Sequence, residues 1–498
     1  MNESSELTRM TAQAVVRLLR QGRVSPLELI DAALARIEAT DGVLNALPTL
    51  CADRARDHAR RLMESASAVA PGPGWLGGLP LAVKDLNDVA GVRTTQGSPI
   101  YADHVPARSD IMVERLEANG AVVLAKSNTP EFGAGANTFN EVFGETLNPW
   151  NTALTVGGSS GGSAAALAAG QVWLATGSDL GGSLRTPASF CSVVGLRPSP
   201  GRVAHGPKTR PFGTLSVEGP MGRTVGDVAL MLDAMVTRHP EDPLSLDPPP
   251  QPFQVAAAER RLPQRVAFSP DLGITPVDAE VRQLCAAAAR RFAEAGATVE
   301  EACPDFSGAA ECFGVLRALG FVASHREHYE TQRSKLKPDV VWNIERGLAL
   351  TATDIARAEL ARGALYHRVV EFFRSYDLLL CPAACVPPFD VKLRWLKELN
   401  GIAFDNYVEW IRITYAITLT SCPALSLPWA SPATAGPWAC RWSAARAARP
   451  SCLAPPRPWK RSSISPGSSR SIRGRRPENC WRKRFHVKHR VNGRRCFT

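Results

Sequence analysis

Two serines and one lysine stand where their surroundings would make them reactive. Ser183 follows the glycine pair Gly181–Gly182 in TGSDLGGSLRTP, and Ser159 lies in VGGSSGGS, just ahead of the small-residue run SAAALAAG. Glycines crowded before a helix let backbone approach backbone, and the helix start leaves N–H groups free for a negative charge. Successive N–H groups of Leu180, Gly181, Gly182 and Ser183 would form a concave anion site around the Ser183 hydroxyl. Acyl transfer needs that geometry, a nucleophile beside donors for the developing oxyanion.

A serine nucleophile also needs a base. The histidines at 58, 104, 205, 239, 325, 328 and 367 fall in no motif. Lys84 is the other choice, because burial in an apolar site strips a lysine of its charge near neutral pH and Ser–Lys hydrolases use such an amine. Lys84 ends the apolar run LPLAV and opens LNDVAG. That is the carboxyl end of an expected strand, where open α/β sheets bind ligands. Gly158-Ser159-Ser160-Gly161-Gly162 also fits the G-x-S-x-G elbow of α/β-hydrolases, with Ser160 attacking and a later Asp and His, such as His367, completing the set. Against it, NTALTV ahead of the motif is short and polar for the strand that an elbow requires.

The elements that must hold these residues alternate. LPLAV, AVVLA, VWLAT, YDLLLCP and CPALSLP predict strands, while SAAALAAG, 280–296 and 353–374 predict helices. The expected fold is α/β, a central mixed sheet covered by helices on both sides. Ser25, Pro26 and Glu28 predict a capped helix start. With residues 8–20 before it, a helical pair leads into the core. Residues 240–253 hold six prolines and must run as a surface connection. The expected organisation is an N-terminal helical segment over 1–70, a catalytic domain over 71–428 and a separate tail over 429–498.

Composition sets the class. With 45% hydrophobic and 21% charged residues, the 498-residue chain can bury a large core, which excludes wholesale disorder and small disulfide scaffolds. The best apolar run, 163–177, is interrupted by Gln171 and is too short to span a bilayer. With no basic start and apolar block at its N-terminus, the chain is expected in the cytoplasm with reduced thiols. Cys381 and Cys385 have no partner ligands at metal spacing, so no metal is expected.

The net charge of +11 does not signal nucleic acid. Residues 429–498 carry 14 Arg and 3 Lys against the single acid Glu478, so the first 428 residues are mildly acidic. The same 70 residues hold 5 of the 11 Trp and 4 of the 12 Cys but only seven Leu, Ile, Val or Phe. A disordered basic arm is normally poor in Trp and Cys. A frame-shifted reading of GC-rich coding sequence produces this composition without physical purpose.

Lys84 in AVKD, the GGSSGGSAAALAAG stretch and GSDLGGSLRTPASFCSVVGLRP together resemble the amidase signature family. The intervals of 75 residues from Lys84 to Ser159 and 24 from Ser159 to Ser183 suit that family, and the similarity runs over roughly 8–428, including KSNTPEF, NPWN and GPMGRTVGDVALML. The resemblance implies a Ser–cis-Ser–Lys triad, with Ser183 the acyl-forming nucleophile, Ser159 the bridge and Lys84 the base. Leu180, Gly181 and Gly182 would bind the oxyanion, and Ser160 and Arg185 would hold the loops behind them. It implies a small-molecule amide substrate, water as co-substrate, no metal or organic cofactor, and no nucleic-acid or membrane partner. A homodimer contact through the N-terminal helices stays open.

Within the family, the glutaminase-type component of tRNA-dependent amidotransferases, their A subunit, is the alternative. NTPEFGAG and TLSVEGP depart from the pattern of that component and favour a stand-alone amidase. Family members continue past CPALSLP with a Gly-rich turn and a strand resembling PVGLQ. This chain reads WASPATAGPWACRW, for which codons exist whose one-base shift spells LGFTRDGRPVGLQM. The frame is therefore expected to change near Pro428. A third reading follows, a damaged and non-functional amidase in which loss of an interior strand bares its neighbour's edge.

Overall fold

A computed structural model describes residues 6–65, 72–207, 209–259, 261–429 and 442–448. The separate tail expected over 429–498 lies outside those residues, apart from Trp429 and the backbone of 442–448.

The chain enters through two helices. Thr11 caps α1 (Ala12–Arg20), and Ser25 starts α2 (Pro26–Leu44) with a capping box. The Ser25 hydroxyl accepts from the Glu28 N–H while the Glu28 carboxylate accepts from the Ser25 N–H. Each reciprocal bond satisfies a helix-end donor that has no intrahelical partner. Leu29, Ile30, Ala33 and Ile37 then bury the inner face of α2 against Val15 of α1 and the sheet behind it.

That sheet has eleven strands among the described residues: β1 (Thr49–Leu50), β2 (Pro80–Lys84), β3 (Val122–Ser127), β4 (Leu174–Asp179), β5 (Val194–Arg197), β6 (Val217–Gly222), β7 (Arg265–Phe268), β8 (Thr298–Glu301), β9 (Leu378–Pro382), β10 (Ala424–Trp429) and β11 (Trp442–Ala448). Their spatial order is β1-β3-β2-β4-β6-β5-β10-β11-β9-β7-β8. β2 is parallel to β3 and to β4, and β7 to β8 and to β9, while the remaining neighbours run antiparallel. The sheet is mixed, as expected. Every residue of β2, β3 and β4 is buried. Since side chains alternate between faces, helices must cover both.

The proline-rich connection at 240–253 is irregular up to Pro252, where a short helix (Phe253–Ala258) begins, and is largely exposed. It joins portions of the chain that share one sheet, since β5 pairs with β10 across it. One expectation differs from the structure. Residues 442–448 form a strand laddered to both β9 and β10, so the interior position expected to be lost after Pro428 is occupied by backbone. A ladder is made by main-chain N–H and C=O groups, so pairing does not require the PVGLQ-like side chains.

Parallel pairing brings the carboxyl ends of β2 and β4 side by side. Lys84 ends β2, and Ser178 and Asp179 end β4. Helix α3 (Gly161–Ala169) starts beside them, and α4 (Arg185–Cys191) follows the loop after β4. The close approach explains the glycines. A Cβ on Gly162, in the first turn of α3, would stand 2.3 Å from the Asn128 nitrogen. Among the described residues no helix is long and apolar enough to cross a membrane.

Candidate active site

Lys84 is fully buried, and its amine touches three hydroxyls: Ser159 Oγ at 2.6 Å, Ser160 Oγ at 2.9 Å and Ser178 Oγ at 3.0 Å. Its own N–H donates to Thr176 Oγ1, which fixes the strand end. Among the described residues no carboxylate lies within ion-pairing distance of Nζ. Burial drives the Lys84 pKa down from its ordinary 10.5 to about 7, against the opposing fields of Glu218 and Asp179. A neutral amine has two N–H donors and one lone pair, so three hydroxyls satisfy it completely.

The serines arrive from two elements. Ser159 follows a cis Gly158–Ser159 peptide bond, and Ser160 immediately precedes α3. Ser160 also accepts from the Ser178 N–H at 3.3 Å, tying the α3 start to β4. It is fully buried and hydrogen-bonds no histidine among the described residues, and the strand ahead of it, Asn151–Thr155, pairs with Leu147–Asn148 outside the central sheet. The elbow reading of Ser160 therefore has neither its base nor its strand. Ser160 supports Lys84 directly, a closer role than the one expected of it.

Ser183 sits on the loop between β4 and α4 and is the one partly exposed member of the three. Ser183 lines a common cavity with Ser159, but no hydrogen bond joins the two hydroxyls. Such contacts are often long before substrate binds and close in the reacting complex. The Ser183 carbonyl accepts from the Ser160 N–H at 3.2 Å, which holds the two serine segments together.

Asp179 shapes the loop around Ser183. Its carboxylate accepts from the Gly182 N–H at 2.9 Å and the Leu184 N–H at 3.2 Å. It also takes a bidentate pair from Arg185, with Nε and Nη2 each at 3.0 Å, and a contact from Arg197. Burial alone would raise the Asp179 pKa, but the two guanidiniums and these N–H groups hold it well below the ordinary carboxylate range. Arg185 reaches on to the Thr414 carbonyl and the Thr418 hydroxyl on α5 (Arg412–Leu419). Arg185 thus ties the loop after β4 to α5.

This corrects the assignment of Gly182 to the oxyanion site, because its N–H is engaged by Asp179. The N–H groups of Leu180, Gly181 and Ser183 make no hydrogen bond among the described residues, and all three residues line the cavity. Gly182 serves the turn instead. Its φ is +124°, and a Cβ there would meet Thr414 Oγ1 at 2.5 Å. Sequence reasoning missed Ser178 and Thr176. Two hydroxyl residues spaced by two along a strand share a face, and that was the signal.

The cavity beside Ser183 has a volume of about 80 Å³ and adjoins an outer one of about 520 Å³. Phe132, on a positive φ of 49°, stacks on His325 with centroids 4.2 Å apart, and Tyr101 hydrogen-bonds His328 at 3.0 Å. Burial and then the neighbouring His328 push the His325 pKa down to about 3. That wall of the outer cavity is therefore aromatic and uncharged at neutral pH.

Known proteins share this geometry's sequence and fold. The family model for amidases matches residues 28–445. An acylamidase of Rhodococcus erythropolis is 32% identical over 423 residues, covering 84% of this chain and 88% of the relative. The A subunit of the glutamyl-tRNA(Gln) amidotransferase from Synechococcus sp. (strain CC9605) is 33% identical over 448 residues, covering 84% of this chain and 89% of the relative. Among solved structures, a bacterial aryl acylamidase of the amidase signature family superposes with a TM-score of 0.81 at 27% identity, covering 88% of this chain and 92% of that one.

Proposed function

The chain belongs to the amidase signature family, and from that premise we propose that Ser183, Ser159 and Lys84 form its catalytic relay. It is an amidase, a hydrolase of non-peptide C–N bonds acting on small carboxylic acid amides. Ser183 Oγ attacks the amide carbonyl carbon as its proton passes to Ser159, whose own proton passes to neutral Lys84. The carbonyl oxygen becomes an oxyanion held by the N–H groups of Leu180, Gly181 and Ser183, each such donor contributing about 3 kcal/mol. The relay then returns the proton to the leaving nitrogen, the C–N bond breaks, and ammonia or amine departs. Water repeats the sequence on the acyl-Ser183 ester and releases the acid.

The observation that carries this reading is a fully buried amine coordinated by hydroxyls alone. A fluorophosphonate probe followed by peptide mapping, beside turnover of a panel of primary amides and anilides, tests it. Modification at Ser183 together with amide turnover supports the relay; modification elsewhere, or none, contradicts it.

A second reading, the glutaminase component of a tRNA-dependent amidotransferase, is favoured by the similarity to the Synechococcus protein. Glutaminase activity that emerges only when the other amidotransferase components are added would support it over a stand-alone enzyme.

A further inference from the structure

Arg317 lies on α6 (Ala309–Gln332) and is only 7% exposed. Among the described residues it is the one charged side chain lining the small cavity that contains Ser183. Its companions are all neutral. Nε donates to Asn343 Oδ1 at 3.2 Å, from α7 (Pro338–Leu348), and Nη2 donates to Tyr407 Oη at 2.7 Å. The guanidinium also lies over the rings of Phe321 at 4.9 Å and Tyr407 at 5.6 Å. Among the described residues no carboxylate pairs with it, and Nη1 makes no hydrogen bond.

The other buried arginines of the site region set the contrast. Arg185 and Arg197 share the carboxylate of Asp179. A buried cation is costly unless its charge is met, and an arginine without an acid is held in place but not neutralised. Asn343 and Tyr407 hold Nε and Nη2, which leaves Nη1 without a hydrogen-bond partner on a residue that lines the cavity containing Ser183. A guanidinium so held matches a carboxylate geometrically.

We propose that Arg317 binds a carboxylate carried by the substrate, so that the preferred amides are anionic, such as mono-amides of short dicarboxylic acids. This rests on the reading of Ser183 as nucleophile, since both groups must share one bound molecule. The aromatic wall of the outer cavity, at Phe132 and His325, would then receive whatever apolar group the leaving amine carries.

The test uses the full chain with the mono-amides of succinic, glutaric and adipic acid, each beside its neutral methyl ester. Hydrolysis gives kcat/KM, and calorimetry on Ser183→Ala gives binding without turnover. At least one acid should be preferred over its ester by about 10- to 100-fold, the range for hydrogen bonds to charged groups. Arg317→Met should bring that ratio close to one, while Arg317→Lys, which keeps the charge and loses the fork, should retain part of it. Melting temperatures establish that each variant is folded; should Arg317→Met fail to fold, Arg317→Lys and the parent ratio decide. Esters that bind as well as acids, no binding of either, or an undiminished ratio in a folded Arg317→Met would overturn the proposal. Failure of the relay is distinct, because it would leave Ser183 unmodified by fluorophosphonate.

Discussion

Lys84 Nζ stands 2.6 Å from Ser159 Oγ, with hydroxyls as its only side-chain partners among the described residues, whereas Lys126, equally buried on the adjacent strand, pairs with Asp85 at 3.0 Å. One lysine is surrounded as a neutral amine would be and the other as a cation. Burial without a paired acid favours the uncharged form that accepts a proton; the Asp85 carboxylate opposes that loss at Lys126.

The two lysines should therefore fail differently. Lys84→Met should lower the rate of acylation by about 10²- to 10⁴-fold, the usual range for a general base, with the fold kept. Lys126→Met leaves Asp85 buried and unpaired, and should cost about 3–5 kcal/mol of stability. Burst kinetics and denaturant titration on both variants separate the two outcomes. A Lys126 variant that lost acylation without losing stability would reverse the assignment.

Activity should follow the Lys84 amine. Its folded pKa is depressed to about 7, so the base form is lost as pH falls through that value. The logarithm of kcat/KM should rise with unit slope below about pH 7 and level off above it, as for a single essential base. A profile flat from about pH 5 to 8 would remove Lys84 as the titrating base.

Asp179 carries stability instead of chemistry. Its pKa is held below the ordinary carboxylate value by Arg185 and Arg197, so the unfolded chain binds its proton first on acidification. Its contribution is full above about pH 4 and declines as pH falls toward the folded pKa. Asp179→Asn leaves two arginines without their acid and should cost about 3–5 kcal/mol at neutral pH, read by urea titration. A loss under about 1 kcal/mol would mean the guanidiniums find other partners.

The gene offers a separate test. Sequencing across the codons for Pro428 to Trp442 should reveal a one-base change of frame that restores LGFTRDGRPVGLQM. An unbroken frame would leave the unusual composition of 429–498 as a property of the protein itself.

The parts legible in the sequence were those written locally. Lys84 at a strand end, Ser159 and Ser160 before a helix and Ser183 after paired glycines each announce themselves by type and neighbours, because turns and helix starts depend on adjacent residues. Arg317, Asn343 and Tyr407 meet from three separate elements, and nothing near any one of them points to the others. The role of Gly182 was hidden for a related reason. Whether an N–H faces substrate or an aspartate three residues earlier depends on how the loop closes, which Arg185 and α5 decide. The strand at 442–448 was unforeseen because backbone pairing leaves little trace in side-chain pattern.

The most direct measurement is the steady-state rate of amide hydrolysis by Ser183→Ala against its parent, on whichever amide the parent turns over. With Ser183 as nucleophile, removal of its hydroxyl should lower the rate by at least about 10⁴-fold while the melting temperature stays close to the parent's. A Ser183→Ala protein that cleaved the amide as fast as its parent would contradict the account.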